Sequence, residues 1–164
     1  MKLLIVLIFL SCFFLFIKDI NAKSSKMLVF DEKKSFSLIL DIADDFKSKK
    51  LGLMHKKKLK DSNGMIFLYD VKQVVNIWMK NTLLDLDIIF INSNIILSIK
   101  NGNKLSTNII SSKKIVDAVI EIPKNCSKKL KLKRGKKIFW RKLEYFDVET
   151  LINDFPHSFP CTQS

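Results

Sequence analysis

Apolar side chains recur at every second position through most of this chain. Phe36, Leu38, Leu40 and Ile42 alternate with Ser37, Ile39 and Asp41; Val116, Ala118, Ile120 and Ile122 alternate with Asp117, Val119 and Glu121. A period of two puts successive side chains on opposite faces of an extended strand, so each run predicts a strand with a buried face. Leu84, Leu86, Ile88 and Phe90 share one face of a further run, opposite Asp85, Asp87, Ile89 and Ile91. Its second face starts polar and ends apolar, as in a central strand covered at its far end.

The same reasoning predicts strands at Met65–Tyr69, Val74–Met79, Ile95–Ile99 and Ile138–Leu143, and a short one at Met27–Phe30 inside a polar leader, 23–35, read as mobile. Ile109-Ile110 is ambiguous and fits an edge strand. Asn63-Gly64, Asn92-Ser93-Asn94 and above all Asn101-Gly102 read as turns. Helical segments are few. Asp44-Asp45 can cap a short helix over Asp45–Leu51 that Gly52 ends, and Lys124–Leu132 can form another after Pro123. Strands and helices do not alternate, which argues against a doubly wound parallel sheet. The expected fold is mainly β (α+β): a compact antiparallel β sandwich or open barrel with two short helices. The domain occupies 36–143, with a tail over 144–164.

The start of the chain reads as an address. Met1-Lys2 precedes an apolar run, Leu3–Ile17, and then Lys18 to Ala22. That order describes a secretory signal, residues 1–22, cut near Ala22. A retained membrane tether is the alternative, but the run would span only ~22 Å against a hydrocarbon core of ~30 Å. Export to the periplasm or beyond is therefore expected.

The formal net charge is +13, and loss of Lys2, Lys18 and Asp19 with the leader lowers it by one. Such a charge invites a nucleic-acid reading. Yet Arg134 and Arg141 are the only arginines, and bidentate phosphate recognition favours arginine. Export also points away from nucleic acid. The charge reads as a solvated lysine surface, and an anionic membrane surface is its natural partner. Cys12 departs with the leader, which leaves Cys126 and Cys161 in a compartment that permits a disulfide. Their spacing fits no zinc pattern.

Three short pieces stand out: "GLMHK" (Gly52–Lys56), "NGMIFLY" (Asn63–Tyr69) and "WMKNTLLDLDIIFI" (Trp78–Ile91). In this order and spacing they resemble the prokaryotic domain-of-unknown-function 192 family over residues 36–140. "VIEIP" (Val119–Pro123) and "LKRGKK" (Leu132–Lys137) add to the likeness. Asp85 stands where the family usually has Pro, and Lys136 where it has an acidic residue. The resemblance implies a mostly β, commonly exported domain and no particular reaction.

Chemistry must come from the residues themselves. On a strand Trp78 and Lys80 point one way and Met79 the other. The plain reading makes this a turn, with Asn81 in a left-handed conformation. The functional reading makes Trp78, Lys80 and Asn81, with Met54 and His55 near, a shallow pocket that holds an anionic or polar ligand against an aromatic wall. A hydrolase or transferase would need Asp87, Lys80 and His55 to converge as acid–base groups. A copper protein would need Met54, His55, Met65 and Met79 around one centre. No cofactor is implied. The leading expectation is a non-enzymatic binding or accessory module, its partner a small ligand or an envelope component.

Overall fold

The structure is a computed structural model that describes residues 26–59, 62–143 and Cys161. The leader 1–22 with its cleavage site, and the tail apart from Cys161, lie outside the described residues.

Seven strands form one sheet: β1 (Lys26–Asp31), β2 (Ser37–Ala43), β3 (Gly64–Trp78), β4 (Leu86–Asn92), β5 (Ile95–Gly102), β6 (Ile109–Pro123) and β7 (Ile138–Leu143). Two short helices, α1 (Phe46–Leu51) and α2 (Cys126–Lys129), complete the set. The strand order is β5-β4-β6-β3-β2-β1-β7. The sheet rolls until its outer strands touch: Ile95 bridges Lys137, and the Ile138 amide donates to the Asn94 carbonyl at 2.9 Å. The result is an open barrel, mainly β with two short helices, as expected. One pair departs from the antiparallel rule, because β2 runs parallel to β3. The stretch between those strands, α1 with the loop after it, is the crossover that a parallel pair requires.

Two strands are longer than their sequences suggest. The segments Met65–Tyr69 and Val74–Met79 are one strand, β3, because the irregularity at Asp70–Lys72 is absorbed as a register shift against β6 between Leu68 and Gln73. Residues 109–114 are the first half of β6, and their partners are the far end of β3. Asn101-Gly102 is not a turn: it ends β5 opposite Asp87 and Leu86. Glycine is needed there for space, since a Cβ on Gly102 would lie 2.8 Å from Ile88 Cδ1 and 2.9 Å from Met79 Sδ. Lys26–Asp31, read as part of a mobile leader, is a sheet strand held between β2 and β7. Its alternation is real: Met27 and Val29 enter the core while Lys26 and Phe30 are only partly covered. The second helix is shorter than Lys124–Leu132, four residues long.

The barrel interior draws on all the strands, with Val29, Leu38, Leu40, Ile66, Ile89 and Ile120 among its fully enclosed members. Cys126, Leu130 and Leu132 close one end from α2 and the chain after it. A second apolar cluster lies on the outer face of β3, β6 and β4, around Met65, Phe67, Ile88, Phe90 and Val119. Leu53 from the loop after α1 and Met79 and Leu84 from the segment before β4 cover it. Each fully buried Leu, Ile, Val or Phe contributes roughly 1.5–3 kcal/mol, so both clusters count.

Cys126 and Cys161 are joined by a disulfide across 35 residues. That bridge fastens the tail to the closed end of the barrel. Replacing both cysteines with alanine should lower unfolding stability by about 2–4 kcal/mol, read as a shift of the urea midpoint. An unchanged midpoint would mean that the tail adds nothing to the folded domain.

Candidate functional site

The site is built by two loops that meet on the outer cluster. The first follows α1. Asp45 caps that helix by accepting from the Lys47 and Ser48 amides at 2.7 and 2.9 Å, and Gly52 stops it with φ 50°. The chain then dips so that Leu53 is fully buried, and rises through half-buried Met54 to exposed His55. His55 is left-handed, φ 63°, a conformation that histidine adopts more readily than most side chains.

The second loop joins β3 to β4. Met79 is only 1% exposed while Trp78 is 43% exposed. Lys80 and Asn81 then form the centre of a turn in which the Thr82 amide donates to the Met79 carbonyl at 3.0 Å. Lys80 Nζ sits 5.0 Å from the centre of the Trp78 ring, within cation–π range. Thr82 is buried and its carbonyl accepts from the Leu105 amide at 2.9 Å.

One hydrogen bond ties the loops together: the His55 amide donates to the Asn81 carbonyl at 2.9 Å. "GLMHK" and "WMKNT" are therefore neighbours in space, as the pocket reading of Trp78, Lys80, Asn81, Met54 and His55 requires. The left-handed residue of the junction is His55 and not Asn81. The first loop is pinned a second time, where Lys56 Nζ reaches Asp41 Oδ2 at 2.9 Å. Asp41 also pairs with Lys26 and accepts from Ser62 Oγ at 3.2 Å. Burial alone would push the Asp41 carboxyl up; hydrogen bonds and charge from Lys26 and Lys56 outweigh it and hold the pKa below the ordinary value.

The acid–base set is not assembled. Asp87 is buried and accepts from the Ser127 amide and hydroxyl at 2.9 and 2.6 Å, which fixes the start of α2. It alternates with Leu86 and Ile88, both of the outer cluster, so it faces away from Lys80 and His55. Asp85 is equally committed, accepting from the Lys104 amide at 2.8 Å. For the copper set, Met65 and Met79 pack in the outer cluster among aliphatic and aromatic neighbours, while His55 is exposed. Among the described residues there is no group of three or more His, Cys, Asp or Glu placed to hold a metal ion.

Alternation alone gives Glu121 no role, yet it is the most unusual group on this face. It is 5% exposed, in a segment of β6 that is buried on both sides. Its cross-strand partners are Met65 on β3 and Ile88 on β4, so its side chain lies on the outer cluster. Desolvation raises its pKa to about 8, with no opposing hydrogen bond or charge. Tyr69 on the same face is pushed up to about 12, first by its own burial and then by Glu121. The one sequence signal was a carboxylate inside "VIEIP", a run otherwise apolar.

The profile of the domain-of-unknown-function 192 family, described as an uncharacterized ACR, matches residues 28–140. The chain belongs to that family. Two crystal structures resemble this domain. One is of a Sinorhizobium meliloti 1021 protein proposed to be a transcription regulator, with TM-score 0.64 and 28% identity, covering 71% of this chain and 92% of that one. The other is of a Novosphingobium aromaticivorans DSM 12444 protein of unknown function, with TM-score 0.61 and 28% identity, covering 70% of this chain and 84% of that one. No curated protein matches this chain. Both bonded loops, Gly52–Lys56 and Trp78–Thr82, fall inside the family match.

The buried carboxyl has a measurable consequence. An acid whose folded pKa is raised binds more protons folded than unfolded, so stability falls as pH rises between the two values. For Glu121 that window runs from the ordinary value of 4.5 to about 8. Stability should fall from pH 5 to pH 8 by up to about 1.4 kcal/mol per unit, and Glu121→Gln should flatten the slope. Asp41, with its lowered pKa, acts only below this range: its contribution holds above its unfolded value and disappears as pH falls through the folded one. Thermal denaturation across pH, with carboxyl NMR of Glu121, reads the effect. A wild-type slope that survives in the variant would mean that Glu121 is ionised in the folded protein.

Proposed function

We propose that this protein is an exported, non-enzymatic binding or accessory domain of the cell envelope. Its binding rim is the junction of Trp78, Lys80, Asn81, Met54 and His55. The observation that carries the reading is the His55–Asn81 hydrogen bond of 2.9 Å, which makes one rim out of two sequence motifs. Over that rim a lysine stacks on a half-exposed indole, an arrangement that suits an anionic or polar group placed beside an aromatic wall. The scattering of Asp87 from Lys80 and His55 favours binding over acid–base chemistry. Export rests on the leader sequence. The regulatory role proposed for the Sinorhizobium meliloti relative is not carried over, because a cationic surface made almost wholly of lysine is a weak match to bidentate phosphate recognition.

A thermal-shift screen of small carboxylates and phosphates on the mature protein tests the rim. A ligand at 100 times its Kd should add about 2.7 kcal/mol of stability. Lys80→Ala and Trp78→Ala should each weaken the binding about tenfold while leaving the unliganded melt in place. Equal binding by both variants would remove the rim from the site.

Contact with an anionic membrane surface is a second reading, favoured by the far end of the β3–β6 ribbon. There the pairs Trp78–Ile109 and Val74–Ile115 expose apolar surface beside Lys113 and Lys114. Indole and aliphatic groups flanked by lysine suit a bilayer interface. Cosedimentation with phosphatidylglycerol vesicles, and its loss in Trp78→Ala/Ile109→Ser, is the expected result; indifference to vesicle charge would exclude it.

A further inference from the structure

The first helix buries nothing. None of the six residues of α1 is enclosed by the domain, and Phe46 is 82% and Leu51 53% exposed. The helix is held by its ends and along one side. Asp45 caps it, Gly52 stops it, and Lys49 Nζ lies 5.0 Å from the centre of the Tyr69 ring on β3. At about 3.6 residues per turn, half-buried Ser48 and Lys49 face the sheet, and the other four residues occupy the arc turned to water. Around that arc the order is Phe46, Lys50, Lys47, Leu51: two lysines between two apolar side chains, on a surface that the fold does not use.

The far end of the β3–β6 ribbon lies in the same layer. Its inward side chains, Val75, Ile77 and Val116, join the outer cluster that Leu53, just after α1, also covers. The His55–Asn81 bond ties the two covers together. What the ribbon turns outward repeats the composition of the helix: Val74, Trp78, Ile109 and Ile115 are exposed beside Lys113 and Lys114. A bulge fixes those two lysines. Buried Ser112 accepts from the Val75 amide at 3.0 Å and donates to the Lys114 carbonyl at 2.6 Å, and Lys113 is left-handed, φ 56°. Apart from Ile95, every large apolar side chain exposed among the described residues belongs to α1, to β3 and β6, or to the loops that meet them at Trp78 and Ile109. Single apolar side chains on a surface are ordinary, but their gathering on one side marks a contact. The exposed acids of these segments are Asp44, Asp45 and Asp70; lysine outnumbers them, with Lys57, Lys58, Lys72 and Lys104 exposed as well.

We propose that α1 is a second anchor for an anionic bilayer: Phe46 and Leu51 enter its interface, Lys47 and Lys50 meet its phosphates, and the domain rests with the cover of the outer cluster turned toward the lipid. This rests on the membrane reading of the ribbon; it adds a site and fixes which side of the barrel meets the membrane. Interfacial binding grows with buried apolar area and with attraction to anionic lipid, and the helix and the ribbon each bring both. Lysine suits the role because its stem lies along apolar surface while its ammonium reaches a phosphate. The charge decides against a second copy of the chain, whose lysines would face these across the interface. The route of the chain agrees. Lys26, the first residue of β1, pairs with Asp41, which Lys56 of the loop after α1 also reaches. The chain that follows the apolar run Leu3–Ile17 therefore enters the domain beside this layer.

Cosedimentation of the mature protein with phosphatidylglycerol vesicles is the test, with phosphatidylcholine vesicles as the neutral counterpart. Phe46 is too exposed to hold the fold, so Phe46→Ser should leave the melt in place while weakening the partition about tenfold. Lys47→Gln/Lys50→Gln should weaken it by a similar factor at low salt and by less at high salt, where screening has already removed the attraction. Phe46→Trp should keep the binding and add fluorescence that brominated acyl chains quench. The inference is overturned if Phe46→Ser partitions as the wild type does, or if Phe46→Trp shows no quenching beyond that of the wild type. It is also overturned if the protein without lipid is a dimer that Phe46→Ser dissociates, since α1 then meets a second copy. Failure of the wild type to sediment with phosphatidylglycerol, or equal partition onto phosphatidylcholine, overturns it together with the membrane reading. If Trp78→Ala/Ile109→Ser releases the protein and Phe46→Ser does not, the ribbon stands and α1 falls. If Phe46→Ser alone releases it, α1 stands and the ribbon falls.

Discussion

Everything in this domain rests on a strand buried on both faces. From Ala118 to Pro123, β6 has no exposed residue. It sits between β3 and β4, and its side chains feed two apolar clusters at once. Ala118, Ile120 and Ile122 help to fill the barrel. Val119 and Glu121 look outward, under the loops. A strand in that position can tolerate a carboxyl only if the group is neutral or paired, because an isolated buried charge costs far more than a strand's packing gains. The raised pKa of Glu121 is the direct result. Close approach of the next strand adds to the confinement: a Cβ on Gly64 would come 1.9 Å from the Glu121 carbonyl oxygen, so glycine is required just before Met65, the residue opposite Glu121.

The outer cluster explains why the two loops meet where they do. A rolled sheet of this size fills its interior with its own side chains, and what remains apolar outside must be covered. The parallel β2–β3 pair demands a long connection, and that connection supplies the cover. Leu53 is its anchor. Once Leu53 is buried, Met54 and His55 are carried back toward the surface, and backbone bonding of His55 to Asn81 follows. The same packing pulls Met79 inward and leaves Trp78 and Lys80 outside. Met65 and Met79, two of the methionines that suggested metal ligation, are thus core residues, as thioethers in apolar surroundings usually are.

Legibility varied with the kind of signal. Alternation marked β2, β4 with its outer and inner faces, and the second half of β6, and the Asp45 cap located α1 to within a residue. Continuous strands were split where a bulge resembled a turn, as at Asp70–Lys72, because register shifts change local periodicity without ending the pairing. Asn101-Gly102 misled for a different reason. The glycine answers to the volume of Met79 and Ile88 across the sheet, which no local rule can see. Lys26–Asp31 looked detached because its polar surroundings hid a short alternation that only its two neighbours complete. The candidate rim was partly legible: Trp78, Lys80 and Asn81 adjoin in the chain, whereas their meeting with His55 is a contact across 26 positions.

The sequence by itself determined the β class, the two-residue rhythm of the strands, the cap of α1 and the family motifs, because each depends on residues close together in the chain. Tertiary structure alone decided the strand order, the parallel pair, the closure of Ile95 on Lys137 and the contact between the two loops. It also decided what each carboxylate became. Asp85 and Asp87 read alike on one strand, yet each is spent on capping a distant turn. Glu121 read as one more polar residue in a strand and emerged as an unpaired acid. Local chemistry is the same for all three; desolvation and the available donors, which are properties of packing, set them apart.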